Sequence, residues 1–166
     1  MSDQISIVKD DSQLDHDVEA LYQCAFGPGR FAKAAARLRE GNNCLRDCSR
    51  IALVEGAVIG ACRLWPVVAA NGVHALFLGP IAVDASARSL GLGKKLVMAC
   101  LAQVDVGIPK IVLLVGDLSF FGPLGFERVP DGVINMPGPV DPRRLLWRVG
   151  EVPRADWPSG LLGVAR

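Results

Sequence analysis

The sequence predicts a mixed α+β chain: a largely antiparallel central sheet flanked by helices, with one βαβ unit built into it. Three observations carry this. Short apolar runs separated by tight-turn residues fill the middle of the chain. A helical stretch with a single apolar face follows them. Behind that stretch comes Ile111-Val112-Leu113-Leu114-Val115, an apolar run suited to a strand covered on both faces. A length of 166 residues fits one domain, read over 4–150 with 151–166 as a C-terminal tail. The 51% hydrophobic content excludes a disordered chain. The net charge of +1 supplies no field to gather nucleic acid or an anionic membrane, so neither is expected as a partner.

In chain order, Ile5 and Ile7 alternate with polar neighbours and open the chain as a short strand. Asp11-Ser12 offers an N-cap to a helix whose Leu14, Val18, Leu21, Tyr22 and Phe26 recur at helical spacing, and Gly27-Pro28-Gly29 stops it. A second helix is expected over Phe31 to Glu40, presenting Phe31, Ala34, Ala35 and Leu38 on one face, with Gly41 at its end. Strands follow at Ile51 to Glu55, Val58 to Val68 and Val73 to Val83. Glu55-Gly56 and Asn71-Gly72 mark the two hairpin turns between them. Gly79-Pro80 interrupts the third strand, and because proline cannot donate to a ladder a bulge or local opening is expected there. Leu96, Val97, Cys100, Leu101 and Val104 make one helical face, so Leu76 to Val115 reads as strand, glycine turn, helix and buried parallel strand. Ser119 to Leu124 makes one helical turn. The last 44 residues carry seven of the eleven prolines and are expected as turns, short edge strands and a loosely held tail.

The longest nearly uncharged stretch, Trp65 to Val83, contains Pro66, Gly72, Gly79 and Pro80, which argues against a spanning helix. The opening Met-Ser-Asp-Gln lacks the basic and apolar segments of a signal peptide. Five scattered cysteines, an odd number, fit free thiols in a reducing cytoplasm. Cys44 and Cys48 would need two more zinc ligands, and the chain's only histidines are His16 and His74, so no metal is expected.

The most informative segment runs from Ile81 to Leu96. Gly91 and Gly93 open a helix, where unpaired N–H groups and the positive end of the dipole favour an anion. Arg88 and Lys94 add charge at the same place. As a phosphate cradle it fails the P-loop pattern, because Arg88 stands at the first glycine and Lys95 at the serine or threonine. It fails the dinucleotide pattern because Leu96 occupies the third glycine. It satisfies R-x-x-G-x-G through Arg88, Gly91 and Gly93.

This run resembles motif A of the GNAT superfamily of N-acetyltransferases. The preceding strand, Leu78 to Asp84, supports the resemblance, as does the later Phe120-Phe121-Gly122-Pro123-Leu124-Gly125-Phe126, which is similar to the family's tyrosine-x-x-x-Gly-Phe signature. The order of elements over about residues 4–150 agrees. Gly27 to Phe31 and Asp141 to Trp147 look like a bacterial subgroup of acetyltransferases. The resemblance implies acetyl-CoA as cosubstrate. Arg88, Gly91, Leu92, Gly93 and Lys94 would surround its pyrophosphate, and Ile81, Ala82 and Val83 would lie along the pantetheine arm, Ile81 and Val83 through their backbones. An N–H near Ile81 would polarise the thioester carbonyl, and the strands either side of the helix would splay to admit the arm. An amine acceptor, of a small molecule or a protein, would attack directly, and a homodimer is compatible with the pattern.

Ser89 and Leu90 depart from the family's usual glycine and polar residue. Phe121 stands where a tyrosine commonly protonates the departing thiolate; Ser119 or water is the substitute. Tyr22, the chain's single tyrosine, has the spacing of a core residue. His74 reads as a general base or a strand histidine, and Asp117 as a residue acting through water or a turn cap. Arg30, Arg63 and Trp65 are candidates to line the acceptor pocket, with Arg30 also read as an ion-pair partner and Trp65 as core. The leading reading is an acetyl-CoA-dependent N-acetyltransferase. The second is an acyl-CoA-binding module without efficient catalysis, and the third a nucleotide-phosphate-binding protein.

Overall fold

The structure is a computed structural model describing residues 4–166. Its strands are β1 (Ser6–Lys9), β2 (Arg50–Val54), β3 (Ala57–Ala69), β4 (His74–Val83), β5 (Val112–Val115), β6 (Glu127–Arg128), β7 (Ile134–Asn135), β8 (Leu145–Arg148) and β9 (Gly160–Val164). They are ordered β1-β2-β3-β4-β5-β8-β6, with β9 beside β3 and β7 beside β9. The pairs β1–β2, β2–β3, β3–β9, β5–β8 and β6–β8 are antiparallel. β4 and β5 are parallel neighbours, as the βαβ pattern predicts, and their register covers two positions, Leu76–Val112 and Phe77–Leu113. The chain divides into two compact units, through both of which β3 and β4 run.

Among the described residues the first unit comprises 4–30, 44–64 and 79–106. Asp11 caps a single 3-10 turn by accepting from Gln13 N–H, and α1 (Asp15–Phe26) continues from it with Asp15 and Asp17 at its positive end. Val18, Leu21 and Tyr22 of α1 pack with Ile51, Ala61 and Ala82. Glu55 and Gly56 both take positive φ, the geometry of the two-residue turn that joins β2 to β3. The face read for the long helix is the face buried in α3 (Leu92–Asp105): Leu96, Val97, Cys100, Leu101 and Val104, joined by Leu92. Gly60 on β3 admits this helix closely, since a Cβ there would lie 2.9 Å from Leu96 Cδ1.

The second unit comprises 31–43, 65–78 and 107–166. The helix expected over Phe31 to Glu40 is not formed as one piece. A 3-10 turn at Pro28–Ala32 gives way at the extended Lys33 (ψ 148°) to α2 (Ala34–Arg37), a single turn. A segment this short has no helical stability of its own, so tertiary contacts set its shape. The Arg37 guanidinium bonds the Pro137 carbonyl, and the backbone at Gly138 lies against Ala34. Phe31, expected inside, is 61% exposed, while Ala34, Ala36 and Leu38 are buried. The Asn71-Gly72 hairpin forms as read, with Gly72 N–H bonded to Ala69 O. The single turn near Ser119 is α4 (Leu118–Phe121) with a 3-10 extension to Leu124.

The loosely held tail is a second correction. β9 pairs with β3 through Val67–Val164, Val68–Gly163 and Ala69–Leu162, and Leu162 is buried in a core with Phe77, Leu113 and Trp147. Trp157 packs edge-on against Trp147 at 5.3 Å and donates its indole N–H to Val152 O. Prolines predicted irregularity here, but burying Leu162 and packing the half-buried Trp157 against Trp147 holds the segment in place.

Candidate active site

The glycine turn is built from the end of β4 outward. Asp84 N–H bonds Ile59 O, which anchors the residue that follows the strand. The Asp84 carboxylate then accepts from the N–H and hydroxyl of Ser86 and caps a 3-10 turn over Ala85–Leu90. Those bonds hold its carboxyl below the usual range. Gly91 takes φ +67°, a left-handed conformation that lets the chain turn into α3. The first bond closing α3 runs from Lys95 N–H to Gly91 O, so the N–H groups of Leu92, Gly93 and Lys94 come before the in-helix ladder begins. No acidic residue lies in this first turn. Lys94 and Lys95 are exposed at the positive end of the dipole, an arrangement that an anion relieves.

Gly93 is the telling residue. It lies inside α3 without a positive φ, and a Cβ there would meet only Val83 Cγ2, at 3.8 Å. Glycine in a helix costs about 0.5–1 kcal/mol relative to alanine, and no neighbour within the chain requires it. Arg88 donates from Nε to Val83 O at 3.3 Å, which keeps its exposed guanidinium beside the turn.

Upstream, Ile81 and Val83 are partly buried, and Ala82 between them faces the core with Tyr22. At Gly79, where a bulge or local opening is expected, the backbone takes φ +136° while β4 continues through it. Tyr22 is core, as its spacing predicts, and is only 2% exposed. It also does something the spacing does not reveal: its hydroxyl donates to Pro80 O at 3.0 Å.

Below α1 lies a cluster of charges that the sequence reading missed. Arg63, a candidate pocket residue, is buried, donating from Nε to Asp10 at 2.8 Å and from Nη2 to Asp15 at 2.5 Å. Arg46 bonds the same two carboxylates, and the Cys44 thiol lies 3.6 Å from Asp10. Burial works to raise the Asp15 carboxyl, but Arg46 and Arg63 outweigh it and hold it below the usual range. Burial pushes the Cys44 thiol up, away from a reactive thiolate. Arg30 is the expected ion-pair partner, bonding Glu19 at 2.7 Å. The partners stand 11 to 53 residues apart, beyond any local periodicity.

Ser119 and Phe121 lie on α4, in the second unit, whereas Ile81 to Lys94 lie in the first. Ser119 is exposed. Phe121 is 7% exposed, with its ring edge-on to Phe120 at 4.8 Å and to Phe126 at 5.6 Å. Its edge also occupies the space a Cβ on Gly116 would need. Asp117 pairs with Arg144 at 3.4 Å, and its carbonyl, not its carboxylate, accepts from the α4 backbone. His74 opens β4 and is exposed, and Trp65 is partly buried. Among the described residues no group of three or more His, Cys, Asp or Glu side chains is placed to hold a metal ion. No described helix is long and apolar enough to cross a membrane.

Comparison with solved structures finds this fold in proteins solved with CoA or acetyl-CoA. A GNAT family N-acetyltransferase from Escherichia coli, YhbS, solved in complex with CoA, matches with a TM-score of 0.79 at 22% identity, over 99% of this chain and 92% of that one. A GNAT family acetyltransferase from Brucella melitensis, in complex with acetyl-CoA, matches with a TM-score of 0.71 at 21% identity, over 98% and 97%. Naa50 of Arabidopsis thaliana, in complex with the bisubstrate analogue CoA-Ac-MVNAL, matches at 0.60 and 16% identity, over 87% and 97%. No curated protein sequence matches the chain. The family model for the acetyltransferase (GNAT) family matches residues 16–118. That span exceeds half the chain and takes in α1, the β2–β4 strands, the glycine turn and α3, so the chain belongs to the GNAT acetyltransferase family and is an acyltransferase.

Proposed function

We propose that the chain transfers the acetyl group of acetyl-CoA directly to an amine of a small molecule or protein. The observation that carries this is the opening of α3: three N–H groups ahead of the helical ladder, two lysines without an acid in the first turn, and a glycine at 93 that no neighbour requires. An anion drawn up against that backbone accounts for all three. The CoA and acetyl-CoA held by the Escherichia coli and Brucella melitensis relatives support pyrophosphate as that anion.

In this reading Gly91, Leu92, Gly93 and Lys94 hold the pyrophosphate mainly through main-chain N–H groups, with Arg88 beside them. Ile81, Ala82 and Val83 lie along the pantetheine arm. Acetyl-CoA supplies the acetyl group as a thioester, from which the amine displaces CoA as thiolate. Ile81 N–H donates to the thioester carbonyl oxygen where charge develops, a contribution of about 3 kcal/mol. The proton that the attacking amine gives up passes through water to the departing thiolate. A cytoplasmic location is part of the proposal, supported by the five free cysteines.

Calorimetry with acetyl-CoA tests the cradle. Gly93→Val should stay folded and lose affinity at least about tenfold, a change of 1.4 kcal/mol, and more than Arg88→Ala does. Equal affinity in a folded Gly93→Val variant overturns the reading. Thiol release over a panel of amines tests transfer. The burial of Phe121 among rings favours a second reading, an acyl-CoA-binding module, which acetyl-CoA binding without thiol release would establish.

A further inference from the structure

We propose that Tyr22 is a positioning residue for acetyl transfer: its hydrogen bond to the Pro80 carbonyl aims and strengthens the Ile81 N–H as donor to the thioester. The inference rests on the assignment of Ile81 made above. The geometry behind it is that Pro80 C=O and Ile81 N–H belong to one peptide group. That peptide is trans, so the two bonds point in opposite directions in one plane. A group that grips the carbonyl from the α1 side therefore sets the direction of the N–H on the other side. A carbonyl that accepts a hydrogen bond also polarises its own N–H, strengthening it by about 10–30%.

The grip is well supported. Tyr22 is fixed in the core by Val18, Leu21, Ile51, Ala61 and Ala82, with the Phe26 ring at 6.3 Å and the Arg30 guanidinium 5.9 Å from its ring centroid. Ala82, in the same cluster, follows Pro80 by two residues and ties the strand to the same packing. Just before the gripped peptide, Gly79 takes φ +136°, outside regular strand geometry. Packing alone would be served by phenylalanine; the hydroxyl is what reaches Pro80.

The test uses acetyl-CoA labelled with ¹³C at the thioester carbonyl, with its bound carbonyl stretch read by isotope-edited infrared spectroscopy and its affinity by calorimetry. Wild type should displace the band to lower frequency than in free acetyl-CoA. Tyr22→Phe should bind with unchanged affinity and lose about 10–30% of that displacement. Because the chain contains one tyrosine, growth on 3-fluorotyrosine alters Tyr22 alone, and its more acidic hydroxyl should increase the displacement. Thermal unfolding checks that Tyr22→Phe is folded; where it is not, the fluorotyrosine protein decides. A band that stays at the wild-type position in folded Tyr22→Phe, or does not move on fluorination, overturns the role of Tyr22 while leaving Ile81 in place. A wild-type band undisplaced from free acetyl-CoA overturns the Ile81 assignment and this inference with it. Failure of wild type to bind acetyl-CoA overturns the proposed function itself.

Discussion

The turn that opens α3 and the turn that opens α4 each place a glycine next to a short loop, and the two glycines answer different demands. At Gly116 the chain itself needs the missing side chain: a Cβ would lie 2.6 Å from Phe121 Cε2 and 3.1 Å from Leu114 Cδ1. At Gly93 a Cβ would meet a single atom, at ordinary contact distance. One glycine is explained by the folded protein; the other has no steric reason within it, and the proposed anion cradle supplies one. The surrounding units differ in the same sense. Around Phe121 the second unit is closed by rings, whereas the first buries Arg63 and Asp10 and leaves helix N–H groups turned outward. A glycine without a steric reason is therefore better evidence for a ligand than a glycine that a neighbouring ring explains.

The largest effect should come from breaking the buried charges. Asp10, with a side chain fully removed from solvent, holds Arg63 and Arg46, so Asp10→Ala strands a buried guanidinium. Asp15 still faces Arg63, so the loss should sit near the lower end of the 3–5 kcal/mol range for such removals, about 3 kcal/mol in urea unfolding. A loss below about 1 kcal/mol, the size of an exposed pair, would show that the cluster is hydrated. Next comes Gly116→Ala, which should cost about 1–3 kcal/mol by overpacking against Phe121. Pairing it with Phe121→Leu should recover part of that loss; no recovery would mean that the ring is not what excludes the methyl.

A smaller, pH-dependent effect belongs to Asp15. Its carboxyl lies below the ordinary value of 3.8 in the folded state. The unfolded chain therefore binds this proton first, and the stabilisation is complete above 3.8 and lost as pH falls through the lower folded value. Asp15→Asn should flatten the acid limb of the stability curve in that window and leave its slope near neutrality unchanged. The smallest expected change is also the most discriminating. Gly93→Ala should raise thermal stability slightly, by up to about 0.5–1 kcal/mol, while weakening acetyl-CoA binding. Higher stability with unchanged affinity would remove the contrast between the two glycines.

Much of the fold was legible because its signals are local. The α3 face, the Asn71-Gly72 and Glu55-Gly56 turns and the parallel pairing of β4 with β5 follow from periodicity, turn chemistry and the burial of an apolar strand. The candidate site was legible where main chain would do the binding, since Gly91 and Gly93 declare themselves at a helix start. The broken second helix was not legible. Its sequence is helix-compatible throughout, and the contacts that shape it come from Pro137 and Gly138, a hundred residues on.

By itself, then, the sequence determined the strands β1 to β5, the helices α1 and α3 with their apolar faces, and the glycine turn that opens α3. Only the tertiary structure decided that Arg63 is a buried counter-ion of Asp10 and that β9 is held against β3. It alone decided that the hydroxyl of Tyr22 reaches Pro80, 58 residues away. Local order depends on a few neighbouring side chains and their backbone preferences. A buried polar group must instead find its partner wherever the topology brings one, because leaving it unpaired away from water costs more than a surface hydrogen bond returns.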